Sequence, residues 1–383
     1  MVNLDPMLVT LLQATVGAGA SDLHLTVGRP ATVRLDGVLV PFEGVPLLLP
    51  ADTERMVMSL LDEQQLGELN EFSQVDFSFG LDSLGRFRAN AYKQRNSYAL
   101  ALRVIPFRVR SLEELGAPWG AMELLTKPFG LVLVVGPTGS GKSTTLAAMI
   151  DRINQTRPLH ILTIEDPVEY LHEHKVAMVN QREVGTDVNN FTDGLRSALR
   201  EDPDVILLGE MRDLDSISIT LTLAETGHLV FATLHTNDAS QALDRIIDVF
   251  PGDRRDQIQT QLAGTLQGVI SQRLLPAIGG GRVAAYEVLM ANDAVRNLLR
   301  EGKSRQLRNT MISGQQDGMQ TIEMDLARLV SSGMISIETA MEASQYPKEI
   351  MALAATLRSQ LKVQETLASG QAASNGAGTF VGV

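Results

Sequence analysis

Not one cysteine occurs in the 383 residues. Disulfide frameworks, thiolate zinc sites and cysteine nucleophiles are therefore excluded, and the absence fits a reducing cytoplasm. Aromatic residues are few, 4% of the chain with one Trp and five Tyr, which leaves little from which to build a stacking platform for single-stranded nucleic acid. Basic residues fall short of acidic ones, 33 against 45, for a formal net charge of −12. That balance works against a general affinity for nucleic acid, which rests on neutralising phosphates with Lys and Arg. No apolar run approaches the roughly 18–20 residues that cross a bilayer. The opening MVNLDPMLVTLLQAT carries an Asp and no basic leader, so neither a secretory signal nor membrane insertion is expected.

What is present suffices for two domains with ample core. Residues 1–108 read as a small α/β domain. An amphipathic helix over MLVTLLQATVGAG leads into strands within DLHLTVGRPATVRLDGVLV, turning at Asp36-Gly37. One helix is expected around TERMVMSLLDEQQLGELN, then a strand pair across VDFSFGLDSLGRFRANAYKQRNSYALALRVIP. Residues 109–118 read as a linker after Pro106. From 119 to 367 the apolar runs LVLVV, HILTI, VILLG and HLVFATL alternate with helical stretches. That pattern marks a parallel sheet covered on both faces, with helices dominating after Asp293. Residues 368–383 are small and polar and read as a disordered tail.

The run LVLVV is followed at once by GPTGSGKST, which is Gly136, Pro137, Thr138, Gly139, Ser140, Gly141, Lys142, Ser143 and Thr144. The glycines let successive N–H groups point into one concavity around phosphate oxygens. Lys142 would reach the β- and γ-phosphates of ATP, the Ser143 hydroxyl would ligate Mg²⁺, and the following helix adds its positive dipole end. Acids stand beyond two other apolar strands: Glu165 and Asp166 in HILTIEDPVEY, and Glu210 in VILLGEMRD. Ligand-binding groups of such sheets gather at those carboxyl ends. In TGHLVFATLHTND, His235 sits at a strand's end, where it is placed to sense the γ-phosphate, and His228 at the strand's start. Two arginine pairs complete the inventory. With a hairpin centred on Arg95-Asn96, Arg88 and Arg103 face each other on one side of the sheet. Arg196 and Arg200 lie i, i+4 on a short helix capped by Thr192 or Asp193 and stopped before Pro203. An arginine finger from a neighbouring subunit is worth on the order of 10³–10⁵ in phosphoryl-transfer rate.

Over residues 1 to about 365 the chain resembles the type II/IV secretion ATPase superfamily, and within it the pilus retraction ATPases. GPTGSGKST resembles its Walker A motif, IEDPVEY its aspartate box, VILLGEMRD its Walker B motif and TGHLVFATLHTND its histidine box. AVRNLLRE, Ala294 to Glu301, resembles the retraction signature AIRNLIRE with two apolar swaps. The resemblance implies a PAS-like N-terminal domain, a RecA-like P-loop domain and a homohexameric ring working on a pilus platform protein. The location implied is cytoplasmic, at the inner face of the cytoplasmic membrane. It also implies that Arg88, Arg103, Arg196 and Arg200 reach phosphates, and it adds His228 to the site. Both Glu165 and Glu210 are candidates for the general base. Glu165 has the stronger claim, and Glu210 the metal role through water. Assembly-type relatives carry a tetracysteine zinc insertion and a further N-terminal domain, so a cysteine-free chain of 383 residues favours retraction. An accessory paralogue of the retraction ATPase shares the same motifs and stands as the alternative. An assembly ATPase comes behind it, and a RecA-like helicase or DNA translocase is disfavoured by charge and aromatic content.

Overall fold

The computed structural model describes residues 4–35, 37–81, 84–105 and 108–357. The expected tail, 368–383, lies outside the described residues, as do 358–367. The chain divides into two compact units that part at Val109, apart from Glu169–Leu171, which counts with the first.

The first unit is built on six strands: β1 (Asp22–Leu25), β2 (Thr32–Leu35), β3 (Val38–Pro41), β4 (Gln74–Leu81), β5 (Gly85–Gln94) and β6 (Ser97–Ile105). They form one antiparallel sheet in the order β3-β2-β1-β6-β5-β4. The stretch expected to hold a strand pair thus holds three strands. Leu35 pairs with Val38, and Gly37 takes φ 85 in the β2–β3 connection, while Asp36 lies outside the described residues. Helix Pro6–Gly17 starts where the Asp5 carboxylate accepts the N–H groups of Met7 and Leu8 at 2.9 and 3.1 Å. Its Leu8 and Leu12 pack with Leu23, Leu69, Phe87 and Leu102 in the core.

The single helix expected near residues 53–70 is two, Pro50–Met58 and Glu63–Phe72. A second start signal explains the break. Asp62 accepts the Gln65 N–H at 2.8 Å while the Gln65 side chain accepts the Asp62 N–H at 3.1 Å, a reciprocal capping box. The β5–β6 hairpin turns on Arg95 and Asn96, both left-handed at φ 47 and 61, as a two-residue turn matched to strand twist requires. Arg88 consequently lies directly opposite Arg103.

The second unit carries β7 (Gly130–Val135), β8 (His160–Glu165), β9 (Met178–Glu183), β10 (Val205–Leu208), β11 (Leu229–Leu234), β12 (Leu266–Pro276) and β13 (Arg282–Met290). The sheet order is β13-β12-β7-β11-β10-β8-β9, parallel except for the β12–β13 hairpin. β7, β10 and β11 are buried along their whole length, as strands covered on both faces must be. β7 thus lies inside the sheet, with β11 on one side and β12 on the other, and its carboxyl end opens into the loop Gly136–Gly141. Among the described residues no helix is long and apolar enough to cross a membrane.

Candidate nucleotide site

The loop after β7 owes its path to glycine. Gly136, Gly139 and Gly141 take φ 152, 77 and 88, conformations that L side chains rarely adopt. A Cβ on Gly136 would lie 2.4 Å from the Gln272 carbonyl oxygen, so alanine fits neither the backbone nor the space. Lys142 opens the helix Lys142–Thr156 and is itself buried. Its Nζ donates back to the Gly136 and Pro137 carbonyls at 2.8 and 3.2 Å, closing the loop on itself. The Ser140 hydroxyl is buried inside this loop without a protein hydrogen-bond partner. A concave run of backbone, an ammonium group and an unpartnered buried hydroxyl together fit a polyphosphate.

The acidic strand ends are adjacent to one another. The Gly209 N–H donates to the Ile164 carbonyl at 2.8 Å, which sets Glu210 beside Glu165. Glu210 is held by Arg212, whose Nε donates to its Oε2 at 2.7 Å, and Arg212 Nη1 also stands 3.6 Å from Asp166. His235 joins this group to the phosphate loop. Its Nδ1 is 3.5 Å from Thr138 Oγ1 and its Nε2 is 3.4 Å from Glu210 Oε1. Burial, and next the charge of Lys142, push the His235 pKa below the ordinary histidine value, which favours the neutral ring that can accept as well as donate. Glu165 is one strand further out. Its carboxylate accepts from Thr163 Oγ1 at 2.7 Å and from Gln181 Nε2 at 3.3 Å. With β11 and β10 between, it lies about 14 Å across the sheet from β7.

Other predicted residues are placed differently. His228 is not brought to the loop. Its carbonyl accepts the Gly130 N–H at the opposite end of β7, roughly 20 Å along the strand, and its Nδ1 is 3.0 Å from the Leu223 carbonyl oxygen. It packs locally rather than facing this chain's phosphate loop. Arg196 is exposed on helix Phe191–Ala198, whose cap is Asn190 rather than Thr192 or Asp193. Arg200 is exposed in the turn just past the C-cap Leu199. In the first unit Arg103 pairs with Asp22 at 3.0 Å, while Arg88 is exposed. In AVRNLLRE, Val295 and Leu299 are buried and Leu298 partly so, while Arg296 turns inward. Its Nη1 donates to the Ala263 and Gly264 carbonyls at 2.5 and 3.0 Å, capping helix Arg255–Thr265.

Sequence reasoning passed over Arg212 and Glu287. The signal for Arg212 was its place two residues after Glu210 in GEMRD. Glu287 on β13 accepts the Ala239 N–H at 3.0 Å, fixing the helix that follows TLHTND. Burial pushes its pKa up to about 7 from 4.5. The folded protein therefore holds a proton there that the unfolded chain has released, and stability falls as pH rises between those values. Glu287→Gln mimics the protonated form. Its advantage over the unaltered protein in urea unfolding is expected to grow from near zero at pH 4 to about 3 kcal/mol at pH 8. An advantage that does not change with pH would show that Glu287 is ionised throughout.

Among the described residues no cluster of three or more His, Asp and Glu is arranged to hold a metal.

The comparisons with known proteins agree with this geometry. Residues 86–349 match the family model described as type II/IV secretion system protein. The type IV pilus retraction ATPase PilT of Pseudomonas aeruginosa is 48% identical over 88% of this chain and 98% of its own length. PilU, a type IV pilus ATPase of the same organism, is 40% identical over 86% of this chain and 87% of its own. A crystal structure of the pilus retraction motor PilT with bound ADP superposes with a TM-score of 0.84 at 51% identity, covering 89% of this chain and 98% of that one. The family-model match spans the phosphate loop, the acidic strand ends and the histidine beside them. The chain belongs to the type II/IV secretion system protein family and, within it, to the type IV pilus retraction ATPases.

Proposed function

We propose that this chain is an ATP-hydrolysing motor that powers type IV pilus retraction, and hence twitching motility. What carries the reading is the phosphate loop tied through Thr138 and His235 to Glu210, in a chain similar to a retraction ATPase over 98% of that protein's length. The first unit, residues 1–108, is PAS-like. Residues 109–118 are the linker, and 119–357 belong to the RecA-like ATPase domain, whose expected end at 367 lies outside the described residues. Six copies form a ring. Loop N–H groups and Lys142 bind the triphosphate, and Thr163 and Gln181 hold the Glu165 carboxylate to accept a proton from the attacking water. Ser143 and, through water, Glu210 would hold Mg²⁺, which would supply charge neutralisation at the phosphates.

Arg88 and Arg103, opposite each other on β5 and β6, are proposed to complete the phosphate site of a neighbouring subunit. Arg196 and Arg200 are the second pair. Hydrolysis around the ring displaces first units in turn, and a platform protein at the inner face of the cytoplasmic membrane receives the motion. The higher identity to PilT than to PilU favours the primary motor over the accessory one, with an accessory paralogue as a further partner. Deleting the gene in its host is expected to give cells with excess pili and no twitching. Bald cells would mean assembly instead, and normal twitching would mean an accessory role.

A further inference from the structure

Beneath the phosphate loop, on the side away from the site, lies a group of buried polar side chains without a role in the reading above. Thr145 is fully buried in the first turn of helix Lys142–Thr156, three residues after Lys142. Its hydroxyl donates to Gln272 Oε1 at 2.7 Å. Gln272 is buried on β12 one residue past the pairing of Ser271 with Val135, level with the start of the loop. It touches both ends of that loop. Its carbonyl oxygen would lie 2.4 Å from a Cβ on Gly136, and its Nε2 would lie 2.9 Å from a Cβ on Gly141. Across the hairpin Gln272 pairs with Tyr286, which is also fully buried. The Tyr286 hydroxyl lies beside Thr145 and donates its proton to the Leu115 carbonyl at 3.2 Å.

A loop of glycines has few side chains of its own with which to hold its shape. Buried polar groups that satisfy one another specify a single arrangement more sharply than apolar contacts do, because any slip leaves one of them unpaired. We infer that Gln272, with Thr145 and Tyr286, is a positioning residue for the phosphate loop, fixing the height at which helix Lys142–Thr156 starts against β12. The loop N–H groups, Lys142 and Ser143 take their places from that height. None of the three residues touches the phosphates. Their removal acts on affinity through the loop.

The inference rests on the nucleotide-binding reading, so binding of a fluorescent ADP analogue to the unaltered full-length protein is measured first. No binding there overturns that reading. Thr145→Val and Gln272→Leu are each expected to weaken binding about tenfold, the equivalent of one lost hydrogen bond. Thr145→Ser, which keeps the hydroxyl, is expected to stay within about twofold. The double variant Thr145→Val, Gln272→Leu leaves no orphaned partner, so its melting temperature is expected to recover above that of the single variants. Its ADP affinity is expected to stay low. A double variant that regains both would show that the group only stabilises the fold and would overturn the inference. If the single variants do not fold, Tyr286→Phe carries the test. A drop of about threefold or more in ADP affinity at an unchanged melting temperature supports the inference, and unchanged affinity overturns it.

Discussion

Replacing Lys142 by alanine is expected to lower ATP turnover by roughly a hundred- to a thousandfold, the range seen when one donor aimed at developing charge is removed. Two physical effects act together. The ammonium group is buried at the mouth of the loop, where a charge interacts more strongly than in water. It also ties the Gly136 and Pro137 carbonyls at 2.8 and 3.2 Å. Loss of that donor leaves carbonyls poorly satisfied and costs about 1–3 kcal/mol of stability, so the melting temperature is measured beside the rate. Arginine is no substitute, because its planar fork is bulkier and presents donors in another geometry. Alanine and arginine variants should therefore both fail in steady-state hydrolysis while keeping the far-UV spectrum of a folded chain. An alanine variant with turnover within about threefold of the unaltered protein, under half a decade and so worth well below 1.4 kcal/mol of barrier, would remove Lys142 from the chemistry.

The parts of the second unit legible in the sequence are those where burial is complete. LVLVV, HILTI, VILLG and HLVFATL became β7, β8, β10 and β11, because strands covered on both faces need an unbroken apolar run. β9 and β12 were passed over for the converse reason. Asn180, Gln181 and Arg182 interrupt the first, and Ser271, Gln272 and Arg273 the second. Those polar interruptions serve the site: Gln181 holds Glu165, and Gln272 supports the loop. In the first unit the opposition of Arg88 and Arg103 followed from the hairpin centre alone, since pairing register is rigid once the turn is set. Arg212 was signalled only by its place two residues after Glu210, which does not set it apart from a surface ion pair until the fold brings Glu210 and Asp166 to it. His228 and His235 carry the same chemistry in one sequence box. Strand direction alone separates them by the length of β11.

Glu165→Gln is expected to bind ATP at near-normal affinity and to lose hydrolysis by roughly 10²–10⁴-fold, the contribution of a positioned general base. Thr163 donates to the carboxylate at 2.7 Å and Gln181 at 3.3 Å, and a glutamine oxygen can accept both bonds. The substitution therefore keeps the shape of the strand end and removes only the capacity to take a proton. Glu210 gives the contrast. Its carboxylate is shared between Arg212 and His235, so Glu210→Gln breaks an ion pair near the loop and is expected to raise the nucleotide KM as well as lower kcat. Single-turnover hydrolysis with enzyme in saturating excess over ATP separates the two, because it reads the chemical step without product release. If Glu210→Gln abolishes that step while Glu165→Gln retains it, the base is Glu210, and the roughly 14 Å from β7 to β8 is then too far for the water to be reached. The same Glu165→Gln chain placed in its host tests the motor itself. A variant that grips ATP without cleaving it should leave pili extended, and retraction by it would mean that binding alone, not hydrolysis, moves the pilus.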